Sequence, residues 1–227
     1  RIEARDIDVV GHINTRDKAQ ALELRRRMLK ILNPELSATL VYEYGGFKRV
    51  IDCRAYGEPK ILKKEVLYEF DLQIECLNPF WREEEETKED IASWVAAWHF
   101  PCVIEKDSMI YGYRAESVIV DCYNEGDVST GMRIRFTALG TVSNPILLNV
   151  DTEEFIQINA TMKTGDVIEI NTKYGSKGAK LIRDGVETDY FRYIDVDSTF
   201  MQLAIGDNMF RYDAASGVNS LEVSIFY

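Results

Sequence analysis

Two histidines, His12 and His99, limit the nucleophilic chemistry open to this 227-residue chain. A Ser-His-Asp or Cys-His mechanism needs a base held beside its nucleophile. His12 stands in a turn ahead of an expected helix, which favours capping or exposure. His99 follows Trp98 and precedes Phe100-Pro101, a setting for packing. Two histidines also exclude a histidine-rich zinc site. Paired carboxylates could hydrolyse a glycosidic bond, since two acids flanking a sugar suffice. Glu153-Glu154, Asp195, Asp197 and Asp207 are the candidates, and the period of two along a strand would put Asp195 and Asp197 on one face. Acids at strand ends are usually solvated or cap turns, however. These acids also lack the loop spacing of an EF-hand calcium site. No catalytic residue, metal ligand or cofactor is assigned.

Binding is the more serious chemistry. Tyr190, Phe191, Tyr193, Phe200, Tyr212 and Trp94 supply rings that could stack on sugar faces. Tyr190 and Tyr193, with Asp195 and Asp197 as polar neighbours, are the candidate glycan contacts, although alternate aromatics in strands are mostly core. Arg25-Arg26-Arg27 invites a nucleic-acid reading. A net charge of −11 argues against a protein whose main task is coating phosphates. The run is read instead as a solvated helix face or as ion pairs to a neighbouring subunit's acids. Cys53, Cys76, Cys102 and Cys122 are widely spaced with no C-x-x-C pair, and read as reduced, buried small hydrophobes in a cytosolic setting. No apolar run approaches the ~18 residues of a membrane span.

The elements that must position these residues are mostly strands. A first strand is expected to end at Val9-Val10 before Gly11. A helix follows, capped by Asn14 or Thr15, with Ala19, Leu22, Leu29 and Leu32 near one face and Leu24, Met28 and Ile31 widening it, and Asn33-Pro34 stops it. Thr39 to Tyr44 should meet Phe47 to Ala55 across Gly45-Gly46, a strong hairpin signal. A long strand is expected from about Ile61 to Leu77. The acids Glu83 to Glu86 then mark a boundary. Ile91, Trp94, Val95 and Trp98, at i, i+3, i+4 and i+7, predict a short amphipathic helix. From Ser117 the strands crowd together, starting near Ser117, Met132, Ile146, Glu154, Asp166, Ala179, Thr188, Phe200, Asn208 and Ser220. Turn residues such as Asn144-Pro145, Asp184-Gly185 and Ser216-Gly217 fall between them. That spacing reads as a sandwich or jelly roll.

The order of these pieces resembles the distal tail proteins of long-tailed bacteriophages, the phage tail or siphovirus tail component family. The first module carries it in Val10-Gly11-His12-Ile13-Asn14, Ile31-Leu32-Asn33-Pro34 and Asn78-Pro79-Phe80-Trp81. The second carries it in Gly131-Met132-Arg133-Ile134, Gly140 to Pro145, Gly165 to Thr172, Asp197-Ser198-Thr199-Phe200 and Leu203 to Ala214. The resemblance implies an N-terminal β-rich domain with one helix and a C-terminal galectin-like β-sandwich. It implies a ring, usually of six copies, joining tail tube to tip protein, and no catalytic residues. Such proteins usually have further strands ahead of the point where this chain begins, at Arg1, so the first module is expected to be incomplete.

The expected fold class is therefore mainly β: an α+β N-terminal module (residues 1–82), a linker with a short helix (83–102) and a galectin-like β-sandwich (103–227). The expected function is a structural hub at the distal end of a phage or prophage tail, not an enzyme. Expected partners are further copies of itself, the tail tube protein, the tail tip protein and a receptor-binding protein. No membrane is expected, and nucleic acid only as DNA passing through the lumen. The expected location is the virion tail, assembled in the bacterial cytoplasm. Arg25, Arg26, Arg27, Phe47, Arg49 and Ile51 are the candidate oligomer-interface residues. The alternative reading is a carbohydrate-binding sandwich for cell-surface attachment.

Overall fold

A computed structural model describes residues 3–14, 17–64, 67–91, 93–96, 112–115 and 119–227. The chain is mainly β and divides into two compact units, Arg1–Glu85 and Glu86–Tyr227.

The first unit runs β1 (Arg5–Asn14), α1 (Lys18–Ile31), β2 (Ala38–Tyr44), β3 (Phe47–Lys64) and β4 (Leu67–Cys76). The strands form one antiparallel sheet in the order β1-β4-β3-β2. β1 does not end before Gly11 but passes through it, because Gly11 faces Phe70 in the β1–β4 register. A Cβ at position 11 would lie 2.3 Å from a Phe70 ring atom, so any other residue there requires that ring to shift. Gly45 and Gly46 take φ of +59° and +88°, the backbone of a tight two-residue hairpin turn between β2 and β3. The stretch expected as one strand from Ile61 to Leu77 is the end of β3 and all of β4, since Lys64 pairs with Leu67.

The cap of α1 is Asp17 rather than Asn14 or Thr15; its side chain accepts from the Ala19 N–H at 2.9 Å. The stripe that α1 turns inward is also different. Ala21 is buried and Leu24, Met28 and Leu32 are half-buried, while Ala19, Leu22 and Leu29 are exposed. The core of this unit is small: Ile51, Ile74 and Cys76, flanked by Ile7, Val9, Leu40, Cys53 and Trp81.

The second unit contains fifteen strands among its described residues. They are β5 (Lys88–Asp90), β6 (Ser93–Ala96), β7 (Gly112–Ala115), β8 (Ile119–Asp121), β9 (Thr130–Gly131), β10 (Arg133–Ala138), β11 (Val142–Asn149) and β12 (Phe155–Gln157). There follow β13 (Thr161–Met162), β14 (Val167–Asn171), β15 (Gly178–Arg183), β16 (Val186–Asp189), β17 (Gln202–Leu203), β18 (Met209–Ser216) and β19 (Leu221–Phe226). Six form a sheet in the order β16-β15-β14-β10-β19-β5, and β12-β11-β18-β8 form a second with β13 on β11. Ile134, Phe136, Ile168 and Val223 of the first sheet share one core with Leu147, Ile156, Phe210 and Tyr212 of the second. Two sheets closed over a common core are a β-sandwich.

Three local expectations change here. Ser93–Ala96 is a strand, with Trp94 opposite Arg114, where a helix over Ile91 to Trp98 was expected. A short apolar run satisfies both periods, and the cross-strand partner decides between them. Trp98, His99 and Cys102 lie outside the described residues. Within the expected linker, Lys88–Asp90 already belongs to the six-stranded sheet through β19. Asn144-Pro145 does not break the chain but sits inside β11, with Asn144 at φ 50° and Pro145 opposite Ala214.

Candidate self-association surface

Among the described residues of the first unit, more large apolar side chains are exposed than apolar side chains are buried. In the second unit the balance runs the other way. Val41, Tyr42, Tyr44 and Phe47 line the β2–β3 hairpin, and Tyr44 and Phe47 are 73% and 68% exposed at its tip. Leu22, Leu29 and Ile31 add apolar surface on α1. Exposed apolar side chains grouped on one small unit make it the candidate surface for a protein contact. The sheet contributes directional groups as well. β1 and β2 are its two edges, each paired on one side only among the described residues, and an edge strand presents unpaired N–H and C=O groups.

The interface candidates from sequence fall into three groups. Phe47 is on this surface. Arg25, Arg26 and Arg27 are exposed on α1, and none makes an ion pair with another described residue. At 100° per residue they fan around the helix instead of forming one stripe, with Arg25 on the flank of Leu22 and Leu29 and Arg27 on that of Ile31. Ile51 is corrected to a core residue: it is 1% exposed and packs with Ile74 and Cys76. Arg49 is engaged within the unit, donating to Glu83 at 2.9 Å.

That contact belongs to a set that fixes the acidic run. Val50 and Arg82 exchange backbone hydrogen bonds at 2.8 and 2.9 Å, Arg82 pairs with Asp52 at 2.8 Å, and Lys48 pairs with Glu84. The hydrogen bond to Glu84 holds the Lys48 ammonium above its ordinary pKa. Exposed pairs of this kind add at most about 1 kcal/mol each. Their effect is to lay residues 82–84 along β3. The sequence signal missed for β2 is its composition: Leu40, Val41, Tyr42 and Tyr44 put apolar groups on both faces of a strand that buries neither fully.

The second unit disposes of the glycan candidates differently. Phe191–Tyr193 is a short 3-10 helix and a turn follows it, so the period-two argument for Asp195 and Asp197 does not apply. Asp195 organises that turn, accepting from the Asp197 N–H at 2.9 Å and from the Asn159 amide at 2.6 Å. These bonds hold its carboxyl below the usual range. Tyr190 and Tyr193 lie 4.2 Å apart by ring centroids and are half-buried against the sandwich core. The exposed aromatics here are Tyr174 and Phe191, while Phe200 is half-buried against the core like Tyr190 and Tyr193. Phe191 stacks on Phe200 at 6.0 Å, and the Lys177 ammonium lies over Phe200 and over the exposed Tyr174. No group of three or more His, Cys, Asp or Glu side chains converges on a metal position among the described residues. No helix there is long and apolar enough to cross a membrane.

Residues 125–227 match the family model of the siphovirus-type tail component, C-terminal domain. The match lies wholly within the second unit. Solved structures agree in fold over almost the whole chain. SPP1 Dit (gp 19.1), described as a paradigm of the hub adsorption apparatus in phages infecting Gram-positive hosts, superposes with a TM-score of 0.67. Its sequence is 11% identical, and the match covers 100% of this chain and 79% of that one. A chain of the phage p2 baseplate, activated with Sr, gives 0.56 at 12% identity over 98% of this chain and 79% of its own. The Ca-activated baseplate gives 0.55 at 12% identity over 98% and 78%. At these identities the likeness is one of fold. No curated protein sequence matches the chain significantly.

Proposed function

We propose that this chain is the ring-forming hub at the distal end of a phage tail, joining the tail tube to the tip and its host-recognition proteins. The observation that carries the reading is the inverted apolar balance of the first unit, combined with two sheet edges that are paired on one side only among the described residues. A closed ring covers both, because each copy's exposed face meets a different face of the next and the rotation closes. The contact is heterologous, with the β2–β3 hairpin of one copy seated on its neighbour. Six copies is the number the family resemblance implies. The sandwich unit has its own closed core, and no reaction is assigned to it.

Light scattering after size exclusion, across roughly micromolar concentrations, tests this. A species of about six copies that dissociates on dilution is the expected result. A monomer at every concentration would sink the ring.

A second reading, a carbohydrate-binding sandwich, is favoured by one observation: the exposed rings of Tyr174 and Phe191 on either side of the half-buried Phe200. Binding of isolated cell-wall polysaccharide that is lost in Phe191→Ala but kept in Tyr190→Phe would support it over the hub alone.

A further inference from the structure

The sheet register brings two of the cysteines together. Arg54 pairs with Glu75 and Ala55 with Ile74, so the next step along the ladder sets Cys53 on β3 opposite Cys76 on β4. Directly opposed residues on antiparallel strands have Cα atoms about 4.5–5.5 Å apart and side chains on the same face. That spacing falls inside the range a disulfide spans. Packing agrees with the register, for both residues belong to the same core cluster with Ile51 and Ile74. Both are free thiols in the structure. Cys76 is fully buried, whereas Cys53 is half-exposed.

We propose that Cys53 and Cys76 form a cross-strand disulfide when the protein leaves a thiol-reducing cytosol, and that Cys53 is the point of attack and Cys76 the resolving thiol. The oxidant is a small-molecule disulfide such as glutathione disulfide. The Cys53 thiolate attacks one sulfur of that disulfide, a protein–glutathione bond forms, the glutathione S–S bond breaks and one glutathione thiolate leaves. The Cys76 thiolate then attacks Cys53 Sγ, the mixed disulfide breaks and the second glutathione leaves. Two protein thiols lose two protons and two electrons, and one glutathione disulfide becomes two glutathiones. Burial pushes both thiols above the ordinary cysteine range, so the exchange is slow at neutral pH and accelerates as pH rises. The product closes the loop from residue 53 to 76 and ties together the two central strands of the first unit's sheet. It therefore stabilises the unit chiefly by restricting its unfolded chain.

The test is to expose the reduced native chain to glutathione disulfide at about pH 8, trap remaining thiols with iodoacetamide under denaturant, and map the peptides. The expected result is a Cys53–Cys76 linked peptide, a loss of two hydrogens from the intact mass and a thermal midpoint that rises and returns on adding dithiothreitol. Cys76→Ser should instead hold glutathione stably at Cys53. A wild-type end product that keeps the glutathione, leaves both residues alkylated or links either to another cysteine overturns the proposal. The bond forms or fails within one copy, so this outcome is independent of whether the chain assembles into a ring.

Discussion

At the scale of single residues, the second unit is held by buried polar side chains that replace missing backbone partners. Asn208, 2% exposed, donates through its amide to the carbonyls of Cys122, Ala204 and Gly206, and its side-chain oxygen accepts from the Ala204 N–H. Asn124 does the same for the facing loop, accepting from Gly126 N–H and donating to Val128 and Leu203. Gly217 shows the steric counterpart. It sits at φ +76°, and a Cβ there would lie 2.1 Å from the Thr141 carbonyl oxygen. Asn208→Ala strands the N–H and C=O of Ala204, while the Cys122 and Gly206 carbonyls keep the backbone N–H groups of Asn208 and Asn124; each stranded group costs about 1–3 kcal/mol when buried, though relaxation and water recover part. The expected loss is about 3 kcal/mol, read as a fall in the urea midpoint with an unchanged slope. An effect under about 0.5 kcal/mol would mean that the loop does not depend on this amide. The residues Gly206-Asp207-Asn208 were visible in the sequence as a turn. That the asparagine is its internal scaffold was not, because its partners lie as far as 86 residues away.

Among the elements, the six-stranded sheet keeps its outer face in order with charge. Glu169 on β14 is 6% exposed although it stands on that face, because Arg133 and Arg135 on β10 and Lys180 on β15 close over it. Burial alone would raise its carboxyl, but hydrogen bonds from Arg135 and Lys180 outweigh burial and hold it below the usual range. Asp166 at the head of β14 is lowered chiefly by a two-pronged bond from Arg183. A carboxylate whose pKa is lower folded than unfolded contributes stability above the unfolded value and loses it as pH falls through the folded one. The second unit should therefore have a nearly flat thermal midpoint from pH 8 to about 5 and a fall below about 4. In Glu169→Gln the fall should be shallower, from a lower starting midpoint. An identical acid limb in the variant would remove Glu169 from the cause.

The elements also show how far sequence alone reaches. In the second half, strand starts read from alternation and turn residues lie within a few residues of the observed ones, because strands such as β10, β12 and β19 have one buried face and one wetter face. β10 alternates half-buried and buried without a break. In the first unit the same reading slips at β1, at the β3–β4 turn and on the inward face of α1. There the sheet is covered so thinly that apolar residues on either face carry little information about which face is inside.

For the whole molecule, charge separates the two units as sharply as packing does. Residues 1–85 carry fifteen Lys and Arg against sixteen Asp and Glu, a net −1, so −10 of the total −11 belongs to residues 86–227. A nearly neutral unit can meet copies of itself without repulsion, while an acidic one is kept apart from its copies. The surface bearing exposed apolar side chains is thus on the unit whose charge permits association. If burial of that surface drives assembly, the β2–β3 hairpin tip should dominate it, since aromatic anchors carry most of the energy of an interface. Tyr44→Ser with Phe47→Ser touches no buried side chain and leaves Gly45-Gly46 to form the turn. The double variant should keep the parent circular dichroism and thermal midpoint of the sandwich while raising the concentration needed for assembly at least about tenfold. Salt separates this cause from its rival. Apolar association of a near-neutral unit should be unchanged or modestly strengthened between about 0.05 and 0.5 M salt, as repulsion between the acidic units is screened. Ion pairing through Arg25, Arg26 and Arg27 would instead weaken over the same range. A double variant that assembles like the parent, together with assembly that dissolves in salt, would move the contact from the hairpin to the helix.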